Sequence, residues 1–308
     1  MTDPESADAP QGGAKQNAPN PTLARRMLLD RLRKIVRRSP LSPEEIARKV
    51  GLDPSTINRW LNGRKKHLRP HDVRGLLVAC GLGLDDPTVE ELVALAERAG
   101  RPGVLGVTQP WMEKLRFDFY VGLEADAVHL VDYEIAIVPG LLQTPAYAEA
   151  VIRATEGDIS HQDLASRIMV RLKRQALLKC PNEPLRLTAI IDENVLRRGP
   201  ADRFIMRTQL EYLVGVAQWP NVDVLVIPYR VGLHVGVETG AFVLMEFAGD
   251  DAGPVAYSET PTQAVYVEDV EGVGRYRTVT ERLLGCALGC TESLDMIGQA
   301  AETLRDDE

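Results

Sequence analysis

Long apolar runs are missing from this chain. None approaches the roughly 18–20 consecutive apolar residues that span a bilayer, so no membrane helix is expected. The opening MTDPESADAPQGG is acidic and polar, the reverse of the basic-then-apolar start of a secretory signal. A cytoplasmic, nucleoid-associated protein is the expectation. Cysteine is scarce: Cys80, Cys180, Cys286 and Cys290 are scattered, and in a cytosolic protein such thiols are reduced and mostly buried. Cys286 and Cys290 stand four apart on an expected helix and could share one face. No histidine or further cysteine accompanies them at metal-ligand spacing, so no metal site is expected. Aromatic residues are 5% of the chain, too few for a base-stacking ladder, which argues against RNA. GxSxG, P-loop, HExxH and strand-to-helix GxGxxG motifs are all absent, so neither catalytic residues nor a cofactor are expected.

The 308 residues, 44% of them hydrophobic, suffice for about two globular domains of 100–200 residues. A net charge of −8 argues at first against nucleic acid, but the charges are segregated. Residues 21–80 carry 15 Lys+Arg against 5 Asp+Glu, net +10, and residues 1–20 carry 1 against 3, net −2. The remainder, 81–308, therefore holds 20 against 36, net −16. A solvated charged helix in an ordinary globule would mix the signs. A basic DNA-binding module joined to an acidic effector domain segregates them.

Residues 1–20, rich in Pro, Gly, Asn, Asp and Ala without an apolar period, read as a disordered tail. A helix is expected from Thr22, with Leu28, Leu32, Ile35 and Val36 on one stripe. Arg25, Arg26, Arg31, Arg33, Lys34, Arg37 and Arg38 cover the rest of it. Ser42 caps a second helix, with Pro43 in its first turn, Glu45 completing a capping box and Gly51 ending it. Asp53 caps a third, with Pro54 at its first position and Gly63 at its end. Arg64 to Arg69 form a basic loop, then Val73, Leu76, Leu77 and Cys80 mark a fourth helix and Pro87 to Ala99 a fifth. Residues 21–99 thus form an all-α headpiece, and GRPGVLGVTQP, 100–110, is the expected linker. Beyond it, helices are expected over 111–125, 144–154, 162–179, 202–218, 270–288 and 292–304. The third of these presents Leu164, Ile168, Leu172 and Ala176 on one face. Strands are expected over 127–138, 185–191, 222–228 and 241–247, with shorter ones at 254–258 and 264–267. An α+β effector domain over 111–308 follows.

The second and third helices satisfy the steric grammar of a helix-turn-helix. The first needs a small residue where the second crosses it, supplied by Ala47, and the tight turn needs positive φ, supplied by Gly51. Inward positions must be apolar, and they are Ile46, Val50, Leu52, Ile57 and Trp60. The later helix enters the major groove, leaving Ser55, Asn58, Arg59 and Asn62 on the outward stripe. Asn and Arg make bidentate contacts to adenine and guanine edges, so Ser55, Asn58 and Arg59 are the expected base readers. Thr56 meets a base or a phosphate, and Asn62 caps the helix. Ser42, Arg64, Lys65, Lys66, His67 and Arg69 are the expected phosphate contacts. One module covers too little DNA for tight binding, so a homodimer on an inverted-repeat operator in double-stranded DNA is expected.

The segment ARRMLLDRLRK…LSPEEIARKVGLDPSTINRWLNGR resembles the Xre, lambda-repressor-like helix-turn-helix family. The rest resembles the C-terminal domain of actinobacterial Xre regulators of the WhiJ type. The matching stretches include FYVGLEADAVHLVDYEIAIVPGLLQTPAYAEAVIRA (119–154), RLKRQALL (171–178), LRLTAIIDENVLRR (185–198) and QLEYLVGVAQWPNVDVLVIPYRVGLHVG (209–236). FVLMEF (242–247) and YVEDVEGVGRYR (266–277) continue the match, which covers about 280 residues. The resemblance implies a regulator, a repressor in the antitoxin-like manner, paired with a small partner protein of the BldB-like class and having no catalytic residues. Two departures stand out: Pro43 where many Xre proteins have Gln, and a longer, more basic RKKHLRP loop.

Within the C-terminal domain, Asp192 and Glu193 follow an expected strand, where catalytic acids often sit, but their simpler role is to cap the next helix. The loop GLHVGVETG, 232–240, offers His234 and Glu238 as a candidate effector pocket. Three readings stay open: an acidic domain that receives a partner protein, one that senses a small molecule, and a fused enzyme.

Overall fold

The computed structural model describes residues 18–62, 68–104, 111–112, 116–200, 202–260 and 262–305. An N-terminal helical region is followed by an α+β region built on a six-stranded mixed sheet. The helical region comprises α1 (Pro21–Arg38), α2 (Pro43–Lys49), α3 (Ser55–Leu61), α4 (Pro70–Ala79) and α5 (Pro87–Ala99). Leu28, Leu32, Ile46, Ala47, Ile57, Trp60, Leu76, Leu77 and Leu92 form its core, each at most 1% exposed. The first residues depart from expectation. Asn20, read as part of a free tail, accepts the Thr22 and Leu23 N–H groups as N-cap of α1. The rest of that stretch, 1–17, lies outside the described residues.

The second region runs α6 (Phe117–Asp126), β1 (Ala127–Glu134), α7 (Pro145–Glu156), α8 (His161–Gln175), β2 (Arg186–Asp192), α9 (Asn194–Arg197) and α10 (Arg203–Val216). It continues through β3 (Val222–Ile227), α11 (Val235–Thr239), β4 (Phe242–Phe247), β5 (Val255–Glu259), β6 (Ala264–Val267), α12 (Val270–Cys286) and α13 (Cys290–Thr303). The strand order is β3-β2-β1-β4-β5-β6. β1, β2 and β3 pair in parallel, as strands joined through helices do, and β4 to β6 are antiparallel. Both faces of the sheet are covered. Leu130, Leu187, Val224 and Met245 pack toward α6, α7, α10 and α13, while Val131, Tyr133, Phe242 and Leu244 pack against α12.

Three expectations are corrected here. The helix expected over 111–125 is broken: Trp111 and Met112 are helical, as expected, but Arg116 is left-handed and α6 starts after it at Phe117. Cys286 and Cys290 do not share a helix: α12 ends at one and α13 begins at the other, across an extended residue at Ala287. The inward face of α8 is not Leu164, Ile168, Leu172 and Ala176. Its buried residues are Leu164, Val170 and Arg174, and Leu172 is exposed. The reason is electrostatic. Arg174 turns inward because the wholly buried Glu124 of α6 receives it in a two-pronged ion pair at 2.6 and 2.7 Å. An apolar-periodicity reading cannot see an inward arginine.

Candidate DNA interface and the helix behind it

Ser42 caps α2 with a full capping box: its Oγ accepts the Glu45 N–H at 3.2 Å and its own N–H donates to Glu45 Oε2 at 2.8 Å. Gly51 turns the chain at φ +70°, and the Leu52 N–H returns to the Ala47 carbonyl at 2.9 Å. α3 is assigned from Ser55, one residue later than expected, with Pro54 already helical. Asp53 still serves the helix end, its Oδ1 accepting the Ser55 N–H at 2.9 Å. Ile57 and Trp60 are buried, so Ser55, Asn58 and Arg59 are thrown outward and exposed, with Thr56 half-buried between. Asn62 is the C-cap, as expected.

These outward side chains are held by Asp53, expected only as a cap, and by Glu44, which sequence reasoning did not single out. Asn58 Nδ2 donates to Glu44 Oε1 at 3.0 Å, across from α3 to α2. Ser55 Oγ donates to Asp53 Oδ1 at 2.5 Å. The Arg59 guanidinium donates to Thr56 Oγ1 at 3.2 Å and stands 3.7 Å from Asp53 Oδ1. Ser55, Asn58 and Arg59 are thus held in place by Glu44, Asp53 and Thr56. Of the phosphate candidates, Ser42 and Arg69 are exposed at the N-caps of α2 and α4. Arg64, Lys65, Lys66 and His67 lie outside the described residues.

α1 sits behind this motif and faces two ways. Ala24, Leu28, Leu32 and Val36 belong to the helical core, whereas Leu23 belongs to the core of the sheet region and Met27 touches both. Arg33 Nε donates to the Leu61 carbonyl at 2.8 Å, fastening the end of α3. Arg26 and Arg31, read from sequence as solvated basic surface, instead bind the sheet region. The Arg26 guanidinium donates to the carbonyls of Ala252, Gly253 (2.8 Å) and Pro254 (3.3 Å). Its Nε donates to Glu268 at 3.1 Å, and its plane lies over Phe247. Burial holds its pKa below the ordinary guanidinium value, against the pull of Glu268. Arg31 spans Glu91 of α5 at 2.7 Å and Asp251 at 2.5 Å. At the start of α1, Asn20 donates to the Gly122 carbonyl at 2.6 Å and to Asp126 at 2.7 Å. Gly122 is required there, because a Cβ would overlap Thr22.

The other candidate pocket resolves differently. His234 is half-buried with its side chain 4% exposed, its Nδ1 accepting the Gly236 N–H at 3.2 Å and its Nε2 standing 3.6 Å from Asp192 Oδ2. Glu238 is exposed on α11, and among the described residues no hydrogen bond or ion pair joins it to His234. Asp192 accepts the Asn194 N–H at 2.8 Å, the capping role read from sequence. Glu193 accepts the Tyr229 N–H at 2.9 Å and pairs with Arg197 at 3.0 Å. Among the described residues no cluster of His, Cys, Asp and Glu could hold a metal ion, and no helix is long and apolar enough to cross a membrane.

The geometry of α2 and α3 defines a helix-turn-helix, and residues 28–92 match the family model described as a helix-turn-helix domain. The protein is therefore a DNA-binding regulator in its N-terminal part. Residues 117–299, more than half of the chain, match a second model, and the chain belongs to that family, described as a domain of unknown function (DUF5753). No curated protein and no solved structure matches the chain. Residues 21–27, with which α1 reaches the sheet region, fall outside both matched segments.

Proposed function

We propose that this protein is a sequence-specific transcriptional repressor of the Xre, WhiJ-like kind, binding an inverted repeat as a homodimer. The observation that carries the reading is α3: Ile57 and Trp60 anchor it while Ser55, Asn58 and Arg59 stand exposed together. Its C-terminal domain acts as a receiver of a signal rather than as a catalyst, and α1 passes that signal on. A small partner protein is the first candidate signal, supported by the net −16 of residues 81–308. It is supported too by the exposed apolar side chains Tyr229, Leu233 and Val237 around α11. A small molecule is the second, favoured by an unpartnered buried carboxylate at Asp132.

The test is a mobility shift on operator fragments recovered by chromatin immunoprecipitation. Replacing Asn58 and Arg59 by alanine removes two base-edge contacts of about 1–3 kcal/mol each, at least tenfold per contact. Specific binding should fall to the level of competitor DNA while salt-dependent background binding persists. Wild-type preference in the double variant would place base reading elsewhere. Copurification from the same cells identifies a partner protein, and sedimentation of the DNA-free protein reads the dimer.

A further inference from the structure

The sheet region contains a charged cluster that the DNA-binding reading does not use. Asp132 and Glu134 alternate with Tyr133 along β1, so both project from the face that carries Leu130. Asp132 is only 7% exposed, and its Oδ1 has no hydrogen-bond partner among the described residues. Leaving a buried carboxylate oxygen unsatisfied is expensive, so such an atom calls for an explanation. Burial pushes its pKa up to about 7, with Arg174 opposing and Glu124 reinforcing the rise.

The surroundings say what is missing. Arg174 is committed to Glu124 and cannot also neutralise Asp132. Arg171, one turn earlier on α8, donates through Nη1 to Gln143 at 2.8 Å and to the Ala148 carbonyl. Its Nε and Nη2 make no hydrogen bond among the described residues. Glu134 and Glu259 both feel the Arg171 charge, yet neither forms an ion pair with it. Glu259, at the exposed rim, accepts the Tyr257 hydroxyl. Val243 pairs with Asp132 on one side and Tyr257 on the other. Asp132 and Tyr257 thus share one face of the sheet, two strand spacings or about 9–10 Å apart across β4. Arg171 thus keeps two nitrogens without a hydrogen bond among the described residues beside Glu134 and Glu259, Asp132 lies next to Glu134 on the same face of β1, and these acids form no metal-binding group among the described residues.

We infer that this cluster binds a small zwitterion of the amino-acid class, its ammonium on Asp132 and Glu134 and its carboxylate on Arg171. An ammonium supplies the donors that Asp132 lacks, and the free edge of Arg171 matches a carboxylate. The inference rests on the small-molecule reading of the C-terminal domain. It places the ligand beside Glu124, two residues along α6 from Gly122, where α1 docks.

The test uses the full chain without DNA, titrating each of the twenty L-amino acids in thermal-shift and calorimetric measurements. Concentrations reach about 10 mM, enough to fill a site with Kd near 1 mM. At least one amino acid should raise Tm saturably, while its N-acetyl derivative and its amino-alcohol analogue, each lacking one charge, should not. Glu134→Gln and Arg171→Gln should each weaken that binding about tenfold or more. Asp132→Asn should abolish it while leaving Tm equal or higher, which separates lost binding from lost folding. No response to any of the twenty, or binding untouched by all three substitutions, overturns the assignment. A bound amino acid that leaves operator affinity unchanged overturns the sensor reading and leaves the site standing.

Discussion

Replacing Arg26 by alanine should loosen the helix-turn-helix region from the sheet region without unfolding either. The Arg26 side chain is 11% exposed and fills its donor positions with three carbonyls and Glu268. Hydrogen bonds to a charged group contribute about 1.5–3 kcal/mol each when no water replaces them. Glu268 is 37% exposed and is rehydrated, and the Gly253 carbonyl is exposed, so both lose little. The part-buried Ala252 and Pro254 carbonyls and the Phe247 stacking carry the cost, about 2–4 kcal/mol together. Leu23, Thr22 and Asn20 still hold the end of α1, so the expected effect is easier undocking. Amide exchange over residues 20–27 and 120–126 should accelerate about 30- to 1,000-fold. The amides of Ile57 and Trp60 should keep their protection. Arg26→Lys should recover little, since one ammonium cannot serve three carbonyls and Glu268 at once. Exchange within threefold of wild type at both segments would show that the α1 contact does not depend on Arg26, contrary to the reasoning.

Other expectations follow from the same structure. The raised pKa of Asp132 fixes the sign of a pH effect. The unfolded chain loses this proton near pH 4 and the native chain near 7, so rising pH between those values penalises the native state. Tyr120 and Glu124 of α6, Arg174 of α8 and Glu134 of β1 face this group. Asp132→Asn should therefore flatten the stability curve between pH 4 and 7 and stabilise the protein at pH 8, by up to ~4 kcal/mol in urea melts. A curve parallel to wild type would mean that Asp132 carries no such penalty. Arg174→Gln strands Glu124 and should cost about 3–5 kcal/mol, whereas Arg174→Met with Glu124→Leu should recover most of it. Equal losses in the single and double variants would contradict the ion-pair account. Gly51→Ala meets no atom within 4 Å, so its cost is the left-handed backbone alone, about 1 kcal/mol, read as a small Tm drop.

Local signals were legible where their partners lie within a few residues. Ser42 and Glu45 cap one another three residues apart, Asp53 meets Ser55 two apart, and Gly51 needs nothing beyond its own φ. The strand segments announced themselves by β-branched runs, and all six begin within one residue of the expected position. The recognition face followed from Ile57 and Trp60, since burying those two positions of one helix turns Ser55, Asn58 and Arg59 outward. What sequence left open was the fate of charge. Arg26, Arg31, Arg171 and Arg174 all look like solvated surface in a periodicity plot. Their partners lie 23 to 242 residues away, and only the fold brings them within reach. The sequence by itself determined a helix-turn-helix with Ser55, Asn58 and Arg59 outward, because helix caps and apolar period are short-range. The tertiary structure alone decided that α1 serves two cores, that α8 turns Arg174 inward, and that Asp132 Oδ1 is buried without a hydrogen-bond partner among the described residues. Burying a charge depends on which distant group stands opposite it.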